Sequence, residues 1–275
     1  MAERKKAMIR LDKFLTEMGR GTRSQVKEMA RKGRITVNGQ VVRQADLKIN
    51  PEADQICLDG AAVAYARTEY YMLNKPQGVV SATEDGRYQT VTQLITGALR
   101  SDLFPVGRLD IDTEGLLLIT NDGALAHNLL SPKKHVDKTY FAVTEGKVVP
   151  EDIEKIRLGV DIGDEEPTLP GKLEILRTWK EDADRKNVEG ESGAVIANSN
   201  AAGHKADTEG SIWCSEILLT IHEGRFHQVK RMMEAVGKKV IYLKRISMGS
   251  LTLPDDLPKG QVRKLTLDEL AALKC

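Results

Sequence analysis

The stretch VGRLDIDTEGLLLITNDG, residues 106–123, constrains the fold more than any other part of the chain. Leu116, Leu117, Leu118 and Ile119 form an apolar run that must sit in the core, and Arg108, Asp110 and Asp112 stand immediately before it. A folded chain holds an arginine and two aspartates against so much leucine either as an ion pair or for chemistry. Read from the residues alone, both stay open. Two carboxylates two residues apart on an extended chain point the same way, which suits the paired acids of glycoside hydrolysis or a metal site. They equally suit an ion pair with Arg108 that caps a strand.

A chain of 275 residues has room for one small and one large domain. Its 41% hydrophobic content and formal net charge of +1 carry no global signature of a polyanion binder. The average conceals an asymmetry. Residues 1–43 hold twelve Lys and Arg against four Asp and Glu, so the remainder is slightly acidic. Cys57, Cys214 and Cys275 are widely spaced and form none of the close pairs that hold zinc, which fits a reducing cytoplasm. No apolar run reaches the roughly 18 residues of a membrane span, and the basic start MAERKKAMIR lacks the apolar segment of a signal peptide. The expectation is a cytoplasmic protein with no membrane partner.

In the basic front segment, Leu11, Phe14, Leu15 and Met18 follow helical spacing up to a stop at Gly19. A second helix is expected with Ser24 as its cap, Val26, Met29 and Ala30 as its buried face and Gly33 as its terminator. Arg23, Lys27, Arg31 and Lys32 are left outside as a basic stripe, with Arg10 nearby. Asn38-Gly39 and Asp59-Gly60 each predict a hairpin turn. Positive charge confined to one short folded segment is the footprint of phosphate binding. The segment RLDKFLTEMGRGTRSQVKEMARKGRITVNGQVV also resembles the RNA-binding domain shared with the fourth small-subunit ribosomal protein, the alpha-L motif.

Beyond the polar connector AYARTE, a second domain is expected to begin near Thr68. Its apolar runs (YYML, GLLLIT, TYFAVTEG, EILLTIHEG, KVIYLKRISMGSLTL) alternate with helical stretches such as DGALAHNLL and RFHQVKRMMEAV, which predicts an α+β domain on a mainly antiparallel sheet. Residues 181–210 are polar, small and aperiodic and read as a disordered insertion. The expected order is a front domain over 1–60, a linker over 61–67, a catalytic domain over 68–260 and a helical tail over 261–275.

Four blocks now converge. PVGRLDIDTEGLLLITNDG resembles the signature of the bacterial ribosomal RNA pseudouridine synthases of the small-subunit type. YYMLNKPQGVVS, DKTYFAV and EGRFHQVKRMMEAVGKKVIYLKRISMG resemble that family's other motifs in the expected order. The resemblance implies a mixed, largely antiparallel sheet with a central cleft. It also implies a monomer acting on ribosomal RNA or a ribosomal assembly particle without metal, cofactor or guide RNA. Carried over by position, Asp110 is the catalytic aspartate, Tyr140 packs on the target base, Lys230 pairs with the aspartate and Arg108 helps open the RNA. Asp112 and Thr113 support Asp110. His222 and His227 read as packing residues.

The chemistry accounts for these residue types. A uracil must leave its sugar, turn and rejoin through carbon 5, and an ionised carboxylate beside the ribose can serve as nucleophile or base. Whether it attacks the sugar, attacks the base or removes a sugar proton stays open. Unstacking the uridine costs a few kcal/mol, which Arg108 and Tyr140 could offset by stacking. Arg225, Lys230, Arg231, Lys238, Lys239, Lys244 and Arg245 are expected to hold flanking phosphates. Three other readings stand beside this one: the large-subunit branch of the family, a non-catalytic RNA-binding assembly protein, and a carbohydrate hydrolase. The last would need aromatic sugar platforms, for which 4% aromatic content is poor.

Overall fold

The structure is a computed structural model that describes residues 8–182 and 211–274. The chain separates into two compact units. One comprises Met1–Ile111, Leu117–Leu129 and Asp255–Cys275, and the other Asp112–Leu116 and Leu130–Pro254. Among the described residues, no helix is long and apolar enough to cross a membrane.

The front of the first unit holds β1 (Ile9–Arg10), α1 (Leu11–Glu17), α2 (Arg23–Arg31), β2 (Ile35–Val37), β3 (Gln40–Val41), β4 (Lys48–Ile49), β5 (Ile56–Leu58) and β6 (Ala61–Ala62). Leu11, Phe14 and Leu15 of α1 meet Val26 and Ala30 of α2 over Ile35, Ile49 and Ile56 in one buried core. Gly19 ends the first helical segment at φ +67°, as expected. The cap of α2 is Thr22 and not Ser24. Thr22 is extended, its hydroxyl accepts from Gln25 N, and the Gln25 side chain accepts from Thr22 N, a reciprocal box that Ser24, inside the helix, cannot make. Asn38-Gly39 and Asp59-Gly60 both adopt positive φ, as two-residue hairpin turns require. The segment expected to be a linker is ordered: β6 pairs with β5, and Tyr65 packs against Phe14 at 5.8 Å.

The rest of the chain forms β7 (Tyr70–Lys75), β8 (Phe104–Pro105), β9 (Glu114–Thr120), α3 (Gly123–Leu130), β10 (Lys138–Glu145), α4 (Pro150–Leu158), β11 (Lys172–Asp182), β12 (Ser211–Ile221), α5 (Gln228–Ala235), β13 (Lys239–Met248), β14 (Leu251–Thr252), β15 (Val262–Lys264) and α6 (Leu267–Lys274). In the first unit β7 is buried along its whole length and pairs antiparallel with β15, while β8 pairs antiparallel with β9. The leucines of β9 are fully buried, as the opening run demands. The front domain docks on this unit. Ser101 donates its N–H to Glu17 O (2.8 Å) and its hydroxyl to Thr16 O (2.8 Å), and buried Arg100 bridges Glu17 and Asp102.

In the second unit β11, β12, β10 and β13 form an antiparallel sheet in that order, β14 folds back on β13, and the first residues of β9 run parallel to β13. The architecture is α+β on a mixed, mainly antiparallel sheet. Strict alternation of burial along β10 turns Tyr140, Ala142 and Thr144 to one face. Glu181 and Asp182, expected in the insertion, belong to β11 and pair with Ile212 and Ser211. The remainder of that expectation, 183–210, lies outside the described residues and connects the ends of these two paired strands.

Candidate active site

Asp110 lies in the connection between β8 and β9, and a turn follows it at Ile111–Asp112. The two aspartates therefore do not share one face of an extended strand. The turn is held by its main chain. Val106 N donates to Leu118 O (2.8 Å), and Gly78 N donates to Ile111 O (2.8 Å). Ser81 Oγ donates to Leu109 O (2.8 Å) and accepts from Leu109 N (3.0 Å). The Lys75 ammonium, 0% exposed, donates to Asp110 O (2.9 Å) and Pro76 O (3.0 Å) and approaches Ile111 O at 3.5 Å. A cation at the end of an all-buried strand thus fixes the peptide that carries Asp110. Sequence reasoning assigned Lys75 no part in the site. The available signal was a lysine ending a strand whose other residues are all core. Arg108 is exposed, and Asp110 is half-buried.

Asp112 and Thr113 fall in the second unit, with Tyr140 and Lys230. Within that unit Lys230 grips Asp112 through both carboxylate oxygens, at 2.7 and 2.8 Å. Burial would raise the Asp112 carboxyl, but the hydrogen bond and charge of Lys230 outweigh it and hold the group below its ordinary value. Thr113 is buried beside it.

Tyr140 is buried on β10, facing Leu219 of β12 and Arg245 of β13. Arg245, expected to hold phosphate, is 2% exposed and donates from Nε to Leu116 O (2.8 Å). Its backbone lies against Gly115, which has φ +102°, and a Cβ there would stand 2.2 Å from Arg245 O. Only glycine lets β9 approach β13 at this point. Lys138 is also buried and bonds Val136 O at 3.1 Å; burial, then repulsion from Arg245, lowers its affinity for a proton.

Arg225 and Arg231, expected to grip RNA, are partly exposed and engage neighbouring protein groups. Arg225 donates to Glu223, Glu166 O and Pro167 O, while Arg231 donates to Asp164, Ile162 O and Phe226 O. The helix expected over RFHQVKRMMEAV begins only at Gln228, because His227 takes the left-handed conformation at φ 48°, ψ 32°. Buried Glu223 accepts from Leu169 N, Arg225 and Gln228, so the turn before α5 is closed by side chains. In the front domain Arg23, Lys27, Arg31 and Lys32 are all exposed. Arg10 pairs with buried Asp12 through two bonds of 3.0 and 2.7 Å, and Lys32 with Glu28 at 2.7 Å.

Comparison with known proteins agrees with this layout. The S4 domain family matches residues 9–56, and the family described as RNA pseudouridylate synthase matches residues 69–235. An uncharacterised RNA pseudouridine synthase of Bacillus subtilis is 41% identical over 96% of this chain and 98% of its own. The ribosomal small subunit pseudouridine synthase A of Escherichia coli is 35% identical over 96% of this chain and all of its own, and that of Pasteurella multocida is 37% identical over 96% and 98%. A crystal structure of a pseudouridylate synthase superposes with a TM-score of 0.58 at 34% identity, covering 96% of this chain and 99% of that one. With the family match spanning more than half its length, behind an S4 domain, this chain belongs to the RNA pseudouridylate synthase family.

Proposed function

We propose that this protein isomerises a uridine to pseudouridine in the ribosomal RNA of the small subunit, in the cytoplasm and without a guide RNA. The observation that carries the reading is the immobilised aspartate turn. A carboxylate that must meet one ribose carbon needs a main chain that does not wander, and Leu118, Ser81, Lys75 and Gly78 hold it at Val106, Leu109, Asp110 and Ile111. The substrate class follows the relatives named small subunit pseudouridine synthase A, which match this chain over nearly its whole length.

In the reaction the bond between the sugar C1′ and the uracil N1 breaks, the base turns, and C1′ bonds C5. The C5 hydrogen leaves as a proton, and N1 ends protonated. Asp110 is the carboxylate that acts on the nucleotide, as nucleophile or base. Tyr140 packs against the target base. Arg108, exposed one residue before Leu109, stacks in the opened RNA. Lys230, which also grips Asp112, pairs with Asp110 in this reading and supplies the cation beside it. The front domain, 1–60, anchors phosphates through Arg10, Arg23, Lys27, Arg31 and Lys32, and the catalytic domain follows over 68–260.

The test is incubation of the purified protein with small-subunit and large-subunit ribosomal RNA, as transcripts and assembly particles, followed by chemical mapping of pseudouridine. A new pseudouridine in small-subunit RNA supports the reading. Modification confined to large-subunit RNA contradicts the substrate, and none in either contradicts the activity.

A further inference from the structure

Phe226 keeps 69% of its surface in solvent on a turn that is otherwise tied down on every side. Its neighbours are committed inward. Glu223 holds Arg225 and Gln228, Gln228 accepts from Arg225 N at 2.9 Å, and Arg231 bonds the Phe226 carbonyl. The apolar face of α5, Val229, Met232 and Met233, is buried, so core was available close by. The chain instead places His227 in the left-handed region, which costs a non-glycine residue about 1–3 kcal/mol, and the phenyl ring stays outside. The His227 imidazole backs that ring at 3.8 Å and 20°, making a flat, rigid platform.

We propose that Phe226 is a stacking residue for the RNA substrate, receiving a nucleobase that neighbours the target uridine. This rests on the pseudouridine synthase reading and adds a substrate-positioning contact to it. The surroundings favour a base over a protein partner. Charged and polar residues adjoin it in the chain: Arg225 and His227 flank Phe226, and Lys230 follows in the first turn of α5. A protein hot spot would sit in an apolar patch, whereas a nucleobase needs one aromatic face with cations for its phosphates. The platform also lies close to the aspartate motif. Lys230, in the first turn of α5, grips Asp112.

The test uses the full chain with Phe226→Ala, Phe226→Tyr and Phe226→Trp, and small-subunit ribosomal RNA as the probe. Because the ring is exposed, all three should keep the wild-type melting temperature. Phe226→Ala should raise KM for tritium release by about 5- to 150-fold, the range of one lost base stack, with kcat at saturation nearly unchanged. Phe226→Tyr should restore KM. Phe226→Trp should show fluorescence quenching on RNA addition beyond that of the wild-type tryptophans, a signal that requires binding but not turnover. It therefore separates failure of this inference from failure of the catalytic reading. A KM within twofold for Phe226→Ala, no added quenching for Phe226→Trp, or a melting loss shared by Ala and Tyr would overturn the proposal.

Discussion

Lys75→Met removes one charge and leaves a side chain of similar length, so its effect isolates the clamp on the aspartate turn. The ammonium bonds Asp110 O at 2.9 Å and Pro76 O at 3.0 Å. Ile111 O, at 3.5 Å, keeps Gly78 N as a donor. Two carbonyls are therefore left without this donor inside a buried site, at about 1–3 kcal/mol each, so the loss is about 2–6 kcal/mol. For a protein of this size, 1 kcal/mol shifts the melting temperature by about 2–4 °C, giving a fall of ~4–24 °C. Activity should fall further than stability, because a displacement of about 1 Å at a reacting group costs on the order of 100-fold. Lys75→Arg should not rescue, since the ammonium is fully buried and the guanidinium is larger and planar. The assay is circular-dichroism melting beside tritium release at a temperature where both proteins are folded. A Lys75→Met protein that melts within 2 °C of wild type and turns over normally would refute the clamp.

Gly115→Ala should destabilise by several kcal/mol, because the new Cβ would stand 2.2 Å from Arg245 O at a φ that alanine avoids; soluble protein with an unchanged melting temperature would contradict this close approach. Lys27→Glu and Arg31→Glu should each weaken RNA binding and reduce the salt slope of log K by about 1, measured by filter binding between 50 and 200 mM salt, while leaving melting unchanged. Arg263, bonded to Glu269 at 2.8 and 2.6 Å, holds that carboxyl at about 2, below its ordinary 4.5. A depressed folded-state pKa stabilises above the unfolded value, so this contribution is complete above about pH 4.5 and lost as pH falls towards 2. The stability gap between wild type and Glu269→Gln should close over that window, and a gap independent of pH would remove the pair from the account.

What the sequence revealed and what it hid follow from how residues are arranged around the backbone. The leucines of β9, the stop at Gly19 and the turns at Asn38-Gly39 and Asp59-Gly60 were legible because apolar runs and positive-φ residues report on their own position. The directions taken by the basic cluster from Arg225 to Arg245 were not legible, because charge counted along the chain ignores direction. Period-two alternation in β13 puts Arg245 on the same side as Leu243, and Arg245 is buried. Arg225 and Arg231 find their carboxylate, Asp164, some sixty residues earlier in the chain, a partner only the fold brings near. The Lys75 clamp escaped for the same reason: its acceptors, the carbonyls of Asp110 and Ile111, are backbone atoms about thirty-five residues away. The AYARTE connector read as a linker from its polarity, yet Tyr65 sits on Phe14 and fixes the exit of the front domain.

The measurement closest to the central claim is tritium release from carbon 5 of labelled uridine in small-subunit ribosomal RNA by Asp110→Asn, with RNA binding and melting followed on the same protein. Asparagine keeps the shape, and Lys75 holds the Asp110 peptide through its carbonyl, which the substitution retains. The account predicts an unchanged fold, near-normal RNA affinity and a turnover reduced by several orders of magnitude. A folded Asp110→Asn protein that releases tritium at close to the wild-type rate would contradict it and leave Asp110 a structural residue of the turn.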